Sequence, residues 1–496
     1  MKSFFPITDM MRLQELLSRL TVQSLREPVK EMNPEIRSLD YDSRRVKEGS
    51  LFFAVEGART DGHLYIDEAL RRGAVAVASQ REAPAGVPTV PWIRVEAVRP
   101  FMASLADRFY QQPSRRLQLV GITGTNGKTT TAFLVHSILE QQGPALLMGT
   151  VKTKVGKRQV ESKRTTPEAV DIQETLAQAV ESGCTAGALE VSSHALFFHR
   201  VYQCRFPVAL FTNLSHDHLD FHGSLEQYFQ VKCLLFQTDY NPGIKYAVLN
   251  ADDPFTARIQ LLPGTQSVTF GFSEDSDVYP VDHKISLERT EVDLQFFDRR
   301  LSLSSPLAGE HNLYNIMSAA TAASLLGVAD EQICKGVARL ERVPGRFEKV
   351  EIGRPFTVIV DYAHTPHALE NVLMLCRRVS KGRLLCVFGC GGDRDRTKRA
   401  LMGAIAVRHS DLALITSDNP RYEDPEQIVA EIRAGIPAEA SHFEVIVDRR
   451  EAITRALKLA RRGDLVLVAG RGHEPYQEIQ GEEIRFDDRE VIKEIH

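Results

Sequence analysis

Four residues in the middle of this 496-residue chain could between them do phosphoryl chemistry: Lys128, Glu190, His218 and Lys232. Lys128 belongs to the run Gly124, Thr125, Asn126, Gly127, Lys128, Thr129, Thr130. Glycines let backbone N–H groups turn inward toward an anion, and a following helix adds positive potential at its N-terminus. A lysine there puts a point charge on the outer phosphates of a nucleotide, and the Thr129 hydroxyl is placed to ligate Mg²⁺. The strict G-x-x-x-x-G-K-[ST] pattern is broken, because Ile122 occupies the expected glycine and Gly121 lies one residue too early. The competing reading is a glycine-rich turn with a chance lysine. An apolar strand before the loop and a helical pattern after it weigh against that, so the segment predicts ATP binding.

The other three are less specific. Glu190 ends the apolar run TAGALE before a polar turn; it suits either a Mg²⁺ ligand or a helix-cap carboxylate. His218 follows PVALFTNL, where a histidine is either a metal ligand or a satisfied polar residue. Lys232, in FQVKCLLF, reads from pattern alone as a surface lysine snorkelling past apolar neighbours.

The elements that must position these residues divide into three regions, 1–113, 114–343 and 344–496. The first holds the strand pattern SLFFAVEG and a helix–Gly73–strand pattern in IDEALRRGAVAVAS, and it ends in the polar QQPSRR. In the second, LQLVGIT, TAGALEV, PVALFTNL and KYAVLN alternate with helical stretches, which predicts a mostly parallel sheet covered on both faces. From about 266 to 307 the period changes to two, as in a small antiparallel appendage. The third repeats the strand–helix alternation with FTVIVD, RLLCVFG, DLALIT and DLVLVAG. The fold class is therefore α/β in three domains: an N-terminal domain, a central P-loop-type parallel-sheet ATPase domain and a C-terminal Rossmann-like domain. Ligands gather beyond the carboxyl ends of such strands, and the third region's strands end in the polar loops DYAHTP, GCGGDRD, SDNPR and GRGHE.

Composition narrows the function classes. With 61 basic and 65 acidic residues the net charge is -4, which gives no electrostatic footprint for nucleic acid. No apolar run approaches the roughly 20 residues that span a bilayer. The seven cysteines form no CxxC pair, so a reducing cytoplasm is the expected setting, with Cys386 and Cys390 packed rather than bound to metal.

Beyond these patterns, GTNGKTT, EVSSHAL, FTNLSHDHLDFHG, NADDP, GEHNLYN, PGRFE, DYAHTP, GCGGDRD, DNPR and GRGHE occur in the order of the motifs of the Mur ligase family, which the chain resembles over nearly its whole length. DSRRVKEGSLFFAVEG resembles the substrate domain of members that add the third residue of the cell-wall peptide. The resemblance implies an ATP-dependent amide-forming ligase that phosphorylates a glutamyl carboxylate and then joins it to an amine. Its substrates would be UDP-N-acetylmuramoyl-L-alanyl-D-glutamate, ATP and meso-diaminopimelate, with Mg²⁺ as cofactor, and a cytoplasmic monomer is expected. Lys128, His218 and Lys232 would be catalytic; Thr129, Glu190, His218 and Lys232 would hold metal, with Lys232 as an N6-carboxylysine. Asn315, Arg346, Asp361 and His364 resemble further ATP contacts, although Asn315 also suits a helix N-terminus.

For the UDP-linked substrate the resemblance implies Tyr41, Ser43, Ala58, Arg59, Thr60, Thr165, Thr166, Ser192 and Arg200. The threonine pair alone reads as well as a helix cap. Two residues depart from the family pattern: Phe198 stands where glutamine is common, and His216 where arginine is. For the added amino acid, Arg394, Asp418, Asn419, Pro420, Arg421, Gly470 and Glu474 are implied. A guanidinium fork suits the second carboxylate of diaminopimelate, and lysine-adding members lack the arginine of DNPR. An L-lysine-adding ligase, a folylpolyglutamate synthase and a non-catalytic nucleotide-binding regulator remain the alternatives.

Overall fold

The computed structural model describes residues 11–18, 20–25, 32–57, 60–83, 90–237 and 240–495. They build three α/β layers in chain order. A five-stranded sheet spans residues 24–94, with Ser50–Phe53 and Ala74–Ser79 parallel at its centre. An eleven-stranded sheet follows, then a six-stranded sheet from Glu348–Lys349 onward.

In the central sheet Gln118–Thr123 lies between Ala186–Glu190 and Val208–Phe211, parallel to both. Side chains alternate along it. Val120 and Ile122 pack with Leu134, Val135 and Ile138 of the helix Lys128–Leu139, while Leu119 packs on the opposite face with Phe206. Fully burying each such side chain contributes about 1.5–3 kcal/mol. Gly121 has a structural role: a Cβ there would meet the Phe206 ring at 2.9 Å.

The period-two segment is not a separate appendage. Gln266–Phe270 runs parallel to Tyr246–Asn250, and only Val278–Ile285, Thr290–Phe296 and Arg299–Ser305 are antiparallel, continuing the edge of the same sheet. Alternation reports a half-covered strand and says nothing of its neighbour's direction. In the C-terminal sheet Thr357–Asp361, Leu465–Ala469, Leu384–Phe388, Leu412–Ile415 and Phe443–Val445 are parallel neighbours in that order. Cys386 and Cys390 are buried in the C-terminal core, the latter against Met402. Among the described residues no helix is long and apolar enough to cross a membrane.

Candidate active site

The phosphate loop leaves the strand at Thr123 and enters the helix at Lys128. Gly124 and Gly127 both have positive φ, and added Cβ atoms would meet Thr212 Oγ1 at 1.8 Å and Asn315 Oδ1 at 2.5 Å. Only glycine serves at either place. Asn315 lies inside the helix Glu310–Leu325 and is buried, so it is not a helix N-cap; its Oδ1 accepts from Thr131 Oγ1 at 3.2 Å. Thr125 Oγ1 and the Asn126 N–H are tied to the 213–215 loop, and Thr130 is buried.

Two ammonium groups rest on this loop. Lys128 Nζ donates to the carbonyls of Gly124 and Thr125, both at 2.8 Å. Lys232 Nζ donates to the same Gly124 carbonyl at 2.8 Å. Lys232 does not snorkel: it is 1% exposed on the helix Leu225–Cys233, with its ammonium over the Tyr228 ring. Burial, with Lys128 adding repulsion, drives its pKa well below the ordinary lysine value.

Glu190 is buried at the end of its strand. One oxygen accepts from the Thr150 N–H at 2.7 Å; the other accepts from Thr129 Oγ1 at 2.8 Å and Thr150 Oγ1 at 3.0 Å. Thr150 was invisible to motif reading, though it follows the strand Ala145–Met148 of the same sheet, which was a usable signal. This oxygen-rich set suits a hard divalent cation. Thr165 and Thr166 do not cap the next helix, whose N-cap is Glu168. Thr165 Oγ1 lies 3.1 Å from Thr150 Oγ1, while Thr166 Oγ1 donates to the Glu190 carbonyl and lies 3.3 Å from Ser192 Oγ. His218 has positive φ and sits against Asp217 at 3.4 Å; burial pushes its pKa down to about 3, so the imidazole is neutral. Buried Asp217, also missed by motif reading, lies 3.9 Å from His364.

The C-terminal domain closes the other side. Arg346 Nη2 donates to Thr129 Oγ1 at 3.2 Å, and its guanidinium lies 4.4 Å from the Tyr362 ring centre. Asp361 accepts from the backbone of Phe347 and Ala363, which fixes the turn that carries Arg346. Tyr362 in turn donates to Glu474 Oε1 at 3.3 Å. A chain of contacts thus runs from the phosphate loop to the residues of DNPR and GRGHE. There Asn419 Nδ2 holds Glu474 Oε2 at 2.7 Å, and Arg421, in positive φ, pairs with Glu478 at 3.2 Å and donates to the Gly392 carbonyl. Burial and the nearby Asp418 raise the Glu474 carboxyl to about 7. Gly470 is crowded by Asp418, to whose Oδ2 a Cβ would come within 2.4 Å; that oxygen is buried and has no hydrogen-bond partner among the described residues. Pro420 precedes Arg421, and its carbonyl lies against Gly392. Exposed Arg394 donates to the Asp393 carbonyl.

On the far side, Tyr41 donates to Asp171 at 2.5 Å, Ser43 to Glu68 at 2.9 Å, and Thr60 lies 3.0 Å from Tyr65 OH. Arg200 donates to the Thr166 carbonyl at 3.1 Å. Ala58 and Arg59 lie outside the described residues. His216 reaches across the domain gap to Asp395 at 2.7 Å.

A three-domain fold with a nucleotide loop faced by a second α/β domain defines an ATP-dependent ligase. The chain belongs to the Mur ligase family: residues 35–110 match the Mur ligase family catalytic domain, 122–323 the Mur ligase middle domain and 345–472 the glutamate ligase domain. It is 44% identical over 487 residues, 98% of this chain and 99% of the relative, to the UDP-N-acetylmuramoyl-L-alanyl-D-glutamate--2,6-diaminopimelate ligase of Syntrophomonas wolfei. The ligase of the same description from Geobacillus kaustophilus is 46% identical over 466 residues, 93% of this chain and 95% of the relative. A solved structure with that description superposes with a TM-score of 0.68 at 34% identity, covering 98% of this chain and 99% of the other. At the level of fold alone, an ADP-bound folylpolyglutamate synthase of Mycobacterium tuberculosis gives 0.62 at 18% identity over 75% of this chain and 92% of its own.

Proposed function

We propose that this protein joins meso-diaminopimelate to UDP-N-acetylmuramoyl-L-alanyl-D-glutamate in the cytoplasm, with ATP converted to ADP and phosphate. Residues 1–113 take the UDP-linked substrate, 114–343 the nucleotide and 344–496 the amino acid. The observation that carries the reading is the unbroken contact path Thr129–Arg346–Tyr362–Glu474, which joins a phosphate cradle to a site rich in both arginines and carboxylates.

The chemistry follows from charge. The glutamyl side-chain carboxylate attacks the γ-phosphorus, the bond to the ADP oxygen breaks, and an acyl phosphate forms. The amine of diaminopimelate then attacks the acyl carbon, and phosphate leaves with the former carboxylate oxygen. Two anions must meet in the first step, so fixed cations carry it. Lys128 exchanges its two carbonyl acceptors for the γ-phosphate, and Arg346 moves from Thr129 onto the same group. Thr129 and Glu190 fit a magnesium ion, which when bound neutralises phosphate charge, and His218 is in its neutral, ligand-competent form. Lys232 fits the carbamate form: burial lowers its pKa and so favours the neutral amine that takes up CO₂, and the product places an anionic oxygen ligand beside Lys128. Arg421 and Arg394 receive the distal carboxylate of diaminopimelate, while Glu474 and Asp418 face its ammonium.

The test supplies purified protein with ATP, Mg²⁺ and the UDP-linked dipeptide, and compares meso-diaminopimelate with L-lysine by mass spectrometry of the product. A tripeptide is expected with diaminopimelate in large excess over lysine. Equal products, or lysine alone, would remove the assignment of the amino acid; no product with either would remove the function.

A further inference from the structure

Positive charge surrounds the Phe198 ring. The Arg99 guanidinium lies 4.5 Å from the ring centre and that of Arg200 5.6 Å. Both arginines also reach Glu168, Arg200 at 2.9 Å and Arg99 at 3.4 Å, and Arg164 joins them at 2.6 Å. Three guanidinium groups on one carboxylate leave two positive charges uncompensated. Arg200, Arg99 and Glu168 are shielded, their side chains 13%, 18% and 7% exposed, whereas Arg164 is 55% exposed, so one excess positive charge is held away from solvent. Arg200 Nε is buried with no acceptor among the described residues. Excess buried charge of this kind is costly unless an anion arrives to offset it.

The placement says which anion. Arg200 donates to the Thr166 carbonyl, and Thr166 Oγ1 donates to the Glu190 carbonyl, so the cluster adjoins the reaction centre. Arg99 comes from the N-terminal domain, on the first turn of Val98–Phe109, and also donates to the Glu56 carbonyl. An aromatic face can hold a guanidinium in place without occupying the acceptors or donors of the site, which an amide could not do.

We propose that Arg99, held by Phe198, is a specificity residue: with Arg164 and Arg200 it receives the glutamyl carboxylate that does not react, which joins Glu168 and offsets the charge that Glu168 alone leaves. This rests on the ligase reading above. It goes further in making Arg99 and Phe198 a paired device, in which the ring holds an arginine of the neighbouring domain at the carboxylate's place. No bond is made or broken in the step; a second carboxylate joins Glu168 on the arginine cluster.

The test compares the UDP-linked dipeptide with its analogue in which the glutamyl α-carboxylate is an amide. Wild-type protein should prefer the acid by roughly ten- to a hundredfold in kcat/KM, the range for hydrogen bonds to a charged group. In Arg99→Gln the preference should shrink to about threefold or less, with the loss carried by KM for the acid. Phe198→Leu should follow Arg99→Gln, whereas Phe198→Tyr, which keeps the ring, should retain the wild-type preference. KM for ATP and the melting temperature report that the fold and nucleotide site are intact. If the wild type ligates but Arg99→Gln shows the same acid-to-amide ratio, this inference falls and the ligase reading stands. If the wild type forms no amide, the reading beneath it falls.

Discussion

The nucleotide loop and the amino-acid site solve the same problem, recognition of charged groups, in opposite ways. At the loop the cations are parked: Lys128 and Lys232 share a backbone carbonyl, and Arg346 rests on a threonine hydroxyl. Each can move to a stronger anionic partner when phosphate arrives, and weak resting contacts keep that exchange inexpensive. At the amino-acid site the charges are already committed. Arg421 is fixed by Glu478 and Gly392 and Glu474 by Asn419 and Tyr362, while Asp418 Oδ2 has no partner among the described residues and exposed Arg394 rests on the Asp393 carbonyl. The first site is adaptable because its ligand changes charge during the reaction. The second is preformed because its task is to discriminate between similar amines.

The comparison can be broken most forcefully at Lys232. Lys232→Ala should lower kcat by roughly a hundredfold or more, as expected when a group organising the charge of a reaction centre is lost. Added formate or acetate should restore part of the activity by filling the vacated anionic position. Full activity in the variant would mean that the buried lysine is only structural. Next, Arg421→Ala should cut the preference for diaminopimelate over lysine by about ten- to a hundredfold, measured as the ratio of kcat/KM values. An unchanged ratio would remove Arg421 from recognition and show that its pairing with Glu478 is its whole role.

A smaller effect comes with pH. Glu474 is raised to about 7, so below that pH its carboxyl is protonated and offers no charge to an ammonium. Relative to KM for ATP, kcat/KM for diaminopimelate should climb about tenfold per pH unit below 7 and level off above it. Glu474→Gln should abolish that limb; its persistence would place the titration elsewhere. The least effect is expected at His216, half-exposed and paired with Asp395 across the gap. His216→Ala should change kcat by about fivefold or less, in line with an exposed ion pair. A larger loss would show that this contact organises domain closure.

The two sites were not equally legible in the sequence. The phosphate loop is seven contiguous residues between a strand and a helix, and backbone geometry alone demands its glycines. The strand–helix alternation gave the layers for the same reason, since a two-sided apolar run has one stable environment. The amino-acid site draws on the ends of three strands distant in sequence; the parallel-sheet rule grouped their polar loops, and the family resemblance singled out the residues within them. Lys232 marks the limit of pattern reading: its neighbours suggest a surface lysine, and tertiary packing buries it. Thr150 carried no motif at all, and Asp217 lay within FTNLSHDHLDFHG without drawing a role of its own, although both follow strands that face the same gap. The edge strands from 278 onward were misjudged because alternation cannot distinguish a new layer from the continuation of an old one.

The central claim is that a carboxylate oxygen of the substrate becomes part of the phosphate released. The most direct measurement uses UDP-linked dipeptide labelled with ¹⁸O in the glutamyl side-chain carboxylate, together with ATP, Mg²⁺ and meso-diaminopimelate, and follows the phosphate by mass spectrometry. One ¹⁸O atom should appear in the phosphate for each amide formed from fully labelled substrate, with ADP as the other product. Unlabelled phosphate, or AMP in place of ADP, would contradict the account.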